Sequence, residues 1–293
     1  MKLAVITDEI SQDFAHALDV MLEYGVTGAE LRGLWDTNIS DLTDAQIERA
    51  VDELKQRDMH VVCLATPFYK CDLGGGPTGV DGPLHLATPR PLADQMKILN
   101  RCIEAANRFE TPFLRIFSFW RKSAYLPEVE ARIVDALSEP VETARGAGVT
   151  LLLENEHACY IGTGAEAARV AAEINSPALR IAWDPGNAFH AGEKPFPDGY
   201  EAVKPWTEHI HIKDARIVQT EMHGPQPDWC IIGEGEIDYA GHFMALRRDG
   251  YQGYLSLETH FKPKRGTAPD GRGSAEDGSR ACLAALTRML NQN

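Results

Sequence analysis

A chain of 293 residues with 44% hydrophobic and 25% charged residues, and no apolar run near the roughly 18 residues that span a bilayer, reads as a soluble globular protein. Its length fits one large single-core domain or two ordinary ones. Lys plus Arg number 29 against 43 Asp plus Glu, and the resulting net charge of −14 disfavours membrane-surface or sequence-independent nucleic-acid partners.

The first apolar stretch, 2–7, is a short strand broken by Thr7-Asp8-Glu9, too short for a signal peptide. A helix follows at about 11–23, with Phe14, Ala17, Leu18, Met21 and Leu22 on one stripe and Gly25 placed to end it. A second strand, 26–31, carries Glu30 and Arg32 near its end, and the next helix opens on the capping box Thr43-x-x-Gln46. The third strand, 61–65, leads through Thr66-Pro67 into a Gly- and Pro-rich loop, 70–91, too long to be a simple connector. Helix 92–109, strand 113–119 with Arg115, and helix 126–145 come next. Strand 149–154 ends in Glu154-Asn155-Glu156-His157, and Thr163-x-x-Glu166 opens the following helix. The stretch 179–187 is a buried strand stopping at Asp184, with Pro185 and Gly186 ending it and Asn187 beyond. Strands 209–214 and 254–260 and helices near 239–248 and 276–290 complete the pattern. Eight strand-helix units with near-continuous apolar strands predict one (β/α)8 barrel, an α/β fold spanning residues 1–293 as a single domain. A doubly wound sheet is the structural alternative, but no Gly-x-Gly-x-x-Gly follows the first strand. The six cysteines show no metal or redox spacing and read as reduced, mostly core thiols of a cytoplasmic protein.

Four strand ends of the second half carry Glu154, Asp184, His211 and Glu258. In a barrel these ends neighbour one another, so residues a hundred positions apart converge at one mouth. Three carboxylates together need a cation, and with one imidazole they suit one divalent ion, Mn2+ first, with Mg2+, Co2+ or Zn2+ as alternatives. An Asp at a strand end also serves as a helix cap, and each ligand alone reads as a cap or ion-pair member; the repetition at four units points to a metal. His209 and Lys213 share the strand face of His211, which lies nearer the mouth than His209. Glu156 and His260 share faces with Glu154 and Glu258 and read either as groups contacting ligands or substrate, or as solvent-exposed rim. Arg32, Arg115, Lys213 and Arg216 either bind a phosphate or carboxylate of a substrate or neutralise the acidic cluster. Trp35, Phe68, Phe117 and Trp120 are candidates for shaping a sugar pocket, loops 70–91 and 215–232 for lids, and segment 262–279 for a reach to a neighbouring subunit in a homo-oligomer.

The runs Leu-Glu-Asn-Glu-His at 153–157, Trp-Asp-Pro-Gly-Asn at 183–187, His-Ile-Lys-Asp at 211–214, Gly-Glu-Gly-Glu-Ile-Asp at 233–238 and Leu-Glu-Thr-His at 257–260 resemble the sugar phosphate isomerase/epimerase family. These are xylose isomerase-like TIM barrels related to endonuclease IV. Thr-Asp-Glu-Ile-Ser at 7–11 and Glu-Leu-Arg at 30–32 extend the likeness over nearly the whole chain. The resemblance implies a carbohydrate substrate, one divalent metal on Glu154, Asp184, His211 and Glu258, and Glu154 with Glu258 as the catalytic acid/base pair. Two departures stand out. Ketohexose epimerases of the group carry a His three residues after the ligand Asp and a Glu six after the first ligand Glu, where this chain has Asn187, itself a candidate substrate contact, and Tyr160. Endonuclease IV-like phosphodiester hydrolysis requires histidines where Thr66, Phe117 and Asn187 stand, and an Asp-x-His that does not follow His211.

For a sugar or sugar phosphate isomerase or epimerase, the hard step is drawing a proton from carbon beside a carbonyl to give an enediolate, with one glutamate taking it and the other returning it. An inosose-type dehydratase begins the same way and then loses a β-hydroxide. A non-catalytic sugar-binding barrel and a metal-dependent hydrolase are alternatives from other classes.

Overall fold

The computed structural model describes residues 1–75, 81–220, 224–263 and 273–292. Eight parallel strands close into a barrel: β1 Lys2–Ile6, β2 Gly28–Leu31, β3 His60–Ala65, β4 Phe113–Ile116, β5 Thr150–Glu154, β6 Leu179–Trp183, β7 Thr207–Ile212 and β8 Tyr254–Leu257. Each pairs with the strand before it in sequence, and β8 returns to β1, with Leu3 opposite Leu255. The (β/α)8 expectation therefore holds. The strands are shorter than their apolar runs: β4 stops at Ile116 and β8 at Leu257, and the next residues, Phe117 and Glu258, stay buried at the mouth.

Alternation divides each strand between two cores. On β6, Ile181 and Trp183 face the surrounding helices, while Ala182 packs inside the barrel with Ala4, Val62, Cys63 and Leu152. This apolar plug fills the barrel interior, so the polar inward residues nearer the strand ends rest on a packed floor. Gly28 is required here, since a Cβ would lie 2.9 Å from both the Tyr254 ring and Val62.

The helices form where periodicity and caps coincide. Helix α1, Phe14–Glu23, buries Phe14, Ala17, Leu18 and Met21, and Gly25 follows it at φ +70°. Helix α2, Asp44–Lys55, opens on the Thr43/Gln46 capping box, and helix α3, Gln95–Arg108, packs on the β3–β4 side. Helix α4, Pro127–Gly146, has Pro at its start, and helix α5, Gly164–Ile174, opens on the Thr163/Glu166 box. Among the described residues no helix is long and apolar enough to cross a membrane, and all six cysteines are free and buried.

Two features depart from the sequence reading. The stretch 215–232 is largely an antiparallel hairpin, Asp214–Thr220 with Gly224–Cys230, whose prolines at 225 and 227 and mixed polarity hide the alternation of a strand. Directly after β6 a short helix, α6, Pro185–His190, begins at Asp184. Residues 264–272, half of the segment 262–279 expected to reach a neighbouring subunit, lie outside the described residues, as do 76–80 of the long loop.

Candidate metal centre

Asp184 caps α6 and faces the mouth with the same side chain. Its Oδ1 accepts the Asn187 backbone N–H at 2.8 Å, while Asn155 clamps its backbone through the amide nitrogen and the carbonyl, each at 2.8 Å. The helix-cap alternative is thus met by Oδ1, which leaves Oδ2 free of that role. Oδ2 is buried and has no hydrogen-bond partner; it lies 2.8 Å from Lys213 Nζ without hydrogen-bond geometry.

Glu154, at the end of β5, turns the same way. Its Oε1 accepts the Asn187 side-chain amide at 3.0 Å and lies 3.2 Å from His211 Nδ1, and its Oε2 accepts Arg115 Nη1 at 2.9 Å. His211, inward on β7, presents Nδ1 also at 3.8 Å from Asp184 Oδ2 and from Glu258 Oε2. Glu258, one residue past β8, accepts Arg32 Nη1 at 2.9 Å and Lys213 Nζ at 2.6 Å. One ligand-type atom from each of Glu154, Asp184, His211 and Glu258 falls within 4.8 Å of the others.

Electrostatics explains why so many charges coexist. Burial pushes the Glu154 carboxyl up, but the Arg115 and His211 charges outweigh it and hold it low. For Glu258, burial is outweighed by Lys213 first and then by His260, His211 and Arg32, leaving it well below the usual carboxylate range. Asp184 is the exception: burial, reinforced by Glu154 and Glu258 against the opposing pull of Lys213, raises it to about 6. Seven carboxylates around the mouth (Asp8, Glu9, Glu30, Glu154, Glu156, Asp184 and Glu258) are met by Arg32, Lys70, Arg115 and Lys213 and by the His209 and His211 imidazoles. An Asp184 oxygen that accepts no hydrogen bond, close to three further ligand-type atoms, is what a divalent cation would complete, and three carboxylates with one imidazole are a donor set for such an ion.

The remaining anticipated residues divide. Arg32 spends its whole guanidinium on Asp8, Glu9 and Glu258, and Arg115 pairs with Glu154 and stacks 4.2 Å over the Phe117 ring. Lys213 packs so closely on Gly186 that a Cβ there would lie 2.5 Å from its Cγ. Asn187 links Glu154 to the cap. Glu156 pairs with His157 Nδ1 at 2.9 Å, and half-buried His260 lies 3.5 Å from Glu9 and 3.9 Å from Glu258. Arg216 is not drawn in: it is exposed on the hairpin, in register with Asp228. Phe117 and Trp120 are buried beneath Lys70, Phe68 stacks on Tyr69, and Trp35 packs on Phe14.

Several groups here were not anticipated. Trp229, carried by the hairpin, stands 5.6 Å from Lys213 Nζ and 5.1 Å from the His260 ring. Lys70, buried, donates to the Pro83 carbonyl at 2.8 Å, and His85, two residues on, faces His260 at 6.2 Å between ring centres. His157 stacks on His190 at 3.8 Å. Glu30 bonds both His209 and His211. The sequence signals for Glu30 are a charged residue inside an otherwise apolar strand and its place in the Glu-Leu-Arg run at 30–32, neither of which names its partners.

A sequence model of the xylose isomerase-like TIM barrel family matches residues 18–284. An inosose dehydratase of Serratia proteamaculans (strain 568) is 24% identical over 157 residues, 50% of this chain and 52% of that protein. The chain thus matches about half the length of its curated relatives. Among solved structures, the IolI protein with a bound zinc atom superposes with a TM-score of 0.73 at 16% identity, over 100% of this chain and 99% of that one. A D-allulose 3-epimerase from Methylomonas sp., in complex with D-allulose, superposes with a TM-score of 0.70 at 16% identity, over 99% and 97%. At that identity the structural likeness speaks for the fold.

Proposed function

The chain belongs to the xylose isomerase-like TIM barrel family, and from that premise we propose that it draws a proton from the carbon beside the carbonyl of a polyhydroxylated ketone, for net isomerisation or epimerisation. The observation that carries this reading is the convergence of Glu154 and Glu258 on His211 Nδ1, at 3.2 and 3.8 Å, each carboxylate held ionised by its own basic partner. Glu154, Asp184, His211 and Glu258 would hold one divalent ion, Mn2+ on our reading, whose chemistry when bound is Lewis-acid withdrawal of charge from substrate oxygens.

The chain's own groups do the rest. Glu258 or Glu154 takes the proton as general base, and the opposite glutamate returns one from the other side of the substrate. Lys213, an ammonium held charged by Asp184 and Glu258, donates to oxygen as negative charge develops there. Trp229, with the His260 ring edge-on to it, offers a partly apolar aromatic face of the kind that sugar C–H groups pack against. Arg32 and Arg115 are committed to carboxylates, so we read them as keeping the glutamates ionised rather than as a phosphate site, which favours an uncharged polyol ketone.

Dehydration is the second reading, favoured by the inosose dehydratase relatives. It shares the first proton transfer and ends with a β-hydroxide leaving as water, for which Lys213 is the donor at hand. Ketoses, ketose phosphates and inososes incubated with Mn2+-loaded protein in D2O and followed by NMR separate the outcomes. Deuterium beside the carbonyl with retained carbon skeleton and hydroxyls supports isomerisation or epimerisation; loss of water supports the second reading. No turnover of any of them, with an intact metal centre, would remove the enolising reading.

A further inference from the structure

We propose that Glu30 is the positioning residue of this centre: its carboxylate locks the ring of His211 so that Nδ1, and never Nε2, is presented to Glu154, Asp184 and Glu258. The inference rests on reading those four residues as a metal site.

Glu30 lies on β2, where Ala29 and Leu31 face the helices and Glu30 faces inward, fully buried. A carboxylate in that position survives only with partners for both oxygens. Oε2 lies 2.8 Å from His209 Nε2 and Oε1 lies 3.0 Å from His211 Nε2, partners 179 and 181 residues away in sequence. An ionised carboxylate only accepts, so both imidazoles must donate from Nε2.

For His211 the consequence is directional. With Nε2–H committed to Glu30, Nδ1 is the atom left to face Glu154 at 3.2 Å and Asp184 and Glu258 at 3.8 Å. Turning the ring over would put carbon atoms against Glu30 and against the cluster, losing both polar contacts. Glu30 is itself held from two sides, because the His209 ring stands edge-on to His211 at 5.3 Å and 88° and takes the second oxygen. Two rings on alternate positions of one strand therefore share one carboxylate, and only the upper ring has its other nitrogen in the cluster. A hydrogen-bonded carboxylate behind a ligating imidazole fixes its tautomer and strengthens it as a ligand.

The test uses the full chain. In cadmium-loaded protein with nitrogen-labelled histidine, NMR should show metal coupling to Nδ1 of His211 and a proton on its Nε2. Coupling to Nε2 overturns the proposal without any variant having to fold. In titrations with Mn2+, Glu30→Leu, which removes the acceptor but keeps bulk, should weaken binding about 10- to 100-fold, the scale for loss of such a partner. His209→Gln, which retains an N–H donor for the second Glu30 oxygen, keeps the Glu30–His211 bond and should weaken binding far less than Glu30→Leu; equal losses in the two variants would mean general damage to the buried network and overturn the proposal. A wild-type chain that binds neither ion overturns the metal reading and this inference with it. Tight Mn2+ binding by both wild type and Glu30→Leu overturns this inference alone.

Discussion

Lys213 Nζ donates to Glu258 Oε2 across 2.6 Å while lying 2.8 Å from Asp184 Oδ2, so one ammonium bridges two of the four candidate ligands. All three side chains are buried, and removing one partner of such a group leaves uncompensated charge in a medium that solvates it poorly. Lys213→Met should therefore destabilise the metal-free protein by roughly 3–5 kcal/mol. Added Mn2+, which would neutralise the same carboxylates, should recover part of that loss in thermal unfolding. A melting temperature indifferent to Mn2+ would speak against the cluster as a cation site.

Metal content is a separate expectation. Elemental analysis after reconstitution should find about one ion per chain, and Asp184→Asn combined with His211→Ala should abolish it. Chelation should remove activity while leaving the far-ultraviolet circular dichroism unchanged, because the two apolar cores flank the strands well away from the mouth. Global unfolding on chelation would identify a structural metal instead.

Glu154→Gln and Glu258→Gln should each keep the fold and lower turnover by about 10²-fold or more, the scale of a lost general base. The comparison to make is kcat against KM for each variant on whichever ketone shows exchange. Full activity in either variant refutes the role assigned to that residue.

His242, on helix α7, Tyr239–Arg248, carries a pH dependence unrelated to the mouth. Its imidazole is buried among Phe196, Tyr200, Tyr239 and Phe243, neither nitrogen has a partner, and burial lowers its pKa to about 3. The unfolded chain binds this proton near pH 6.5 and the folded chain does not, so this contribution to stability is intact above pH 6.5 and is lost as pH falls from 6.5 toward 3. The slope is about 1.4 kcal/mol per pH unit. Urea unfolding at pH 7.5 and 5 should show a pH-dependent loss smaller by about 2 kcal/mol in His242→Phe than in the wild type. Equal pH dependence in the two proteins would show that the buried imidazole is protonated or hydrated in the folded state.

Strand-helix alternation, the capping boxes at Thr43 and Thr163, and an acidic or imidazole side chain at four strand ends were all legible in the sequence. Each depends on interactions within a few residues: side-chain period, cap spacing, and the Pro or Gly that ends a run. Barrel closure followed from the unit count, and closure alone implied that Glu154, Asp184, His211 and Glu258 share one mouth. Sequence did not reveal which charges neutralise which. Arg32 meets Glu258 across 226 residues and Glu30 meets His211 across 181, and those pairings depend on strand register and inward facing, which only the closed sheet specifies. The hairpin that delivers Trp229 was hidden by its prolines, and Arg216 stands exposed on that same hairpin because nearness in sequence to His211 says nothing of direction once the chain leaves the barrel. Asp184 shows the division most plainly: its strand end and its cap are local facts, whereas the second oxygen, which accepts no hydrogen bond and faces the Lys213 ammonium, was decided by what the tertiary fold packs around it.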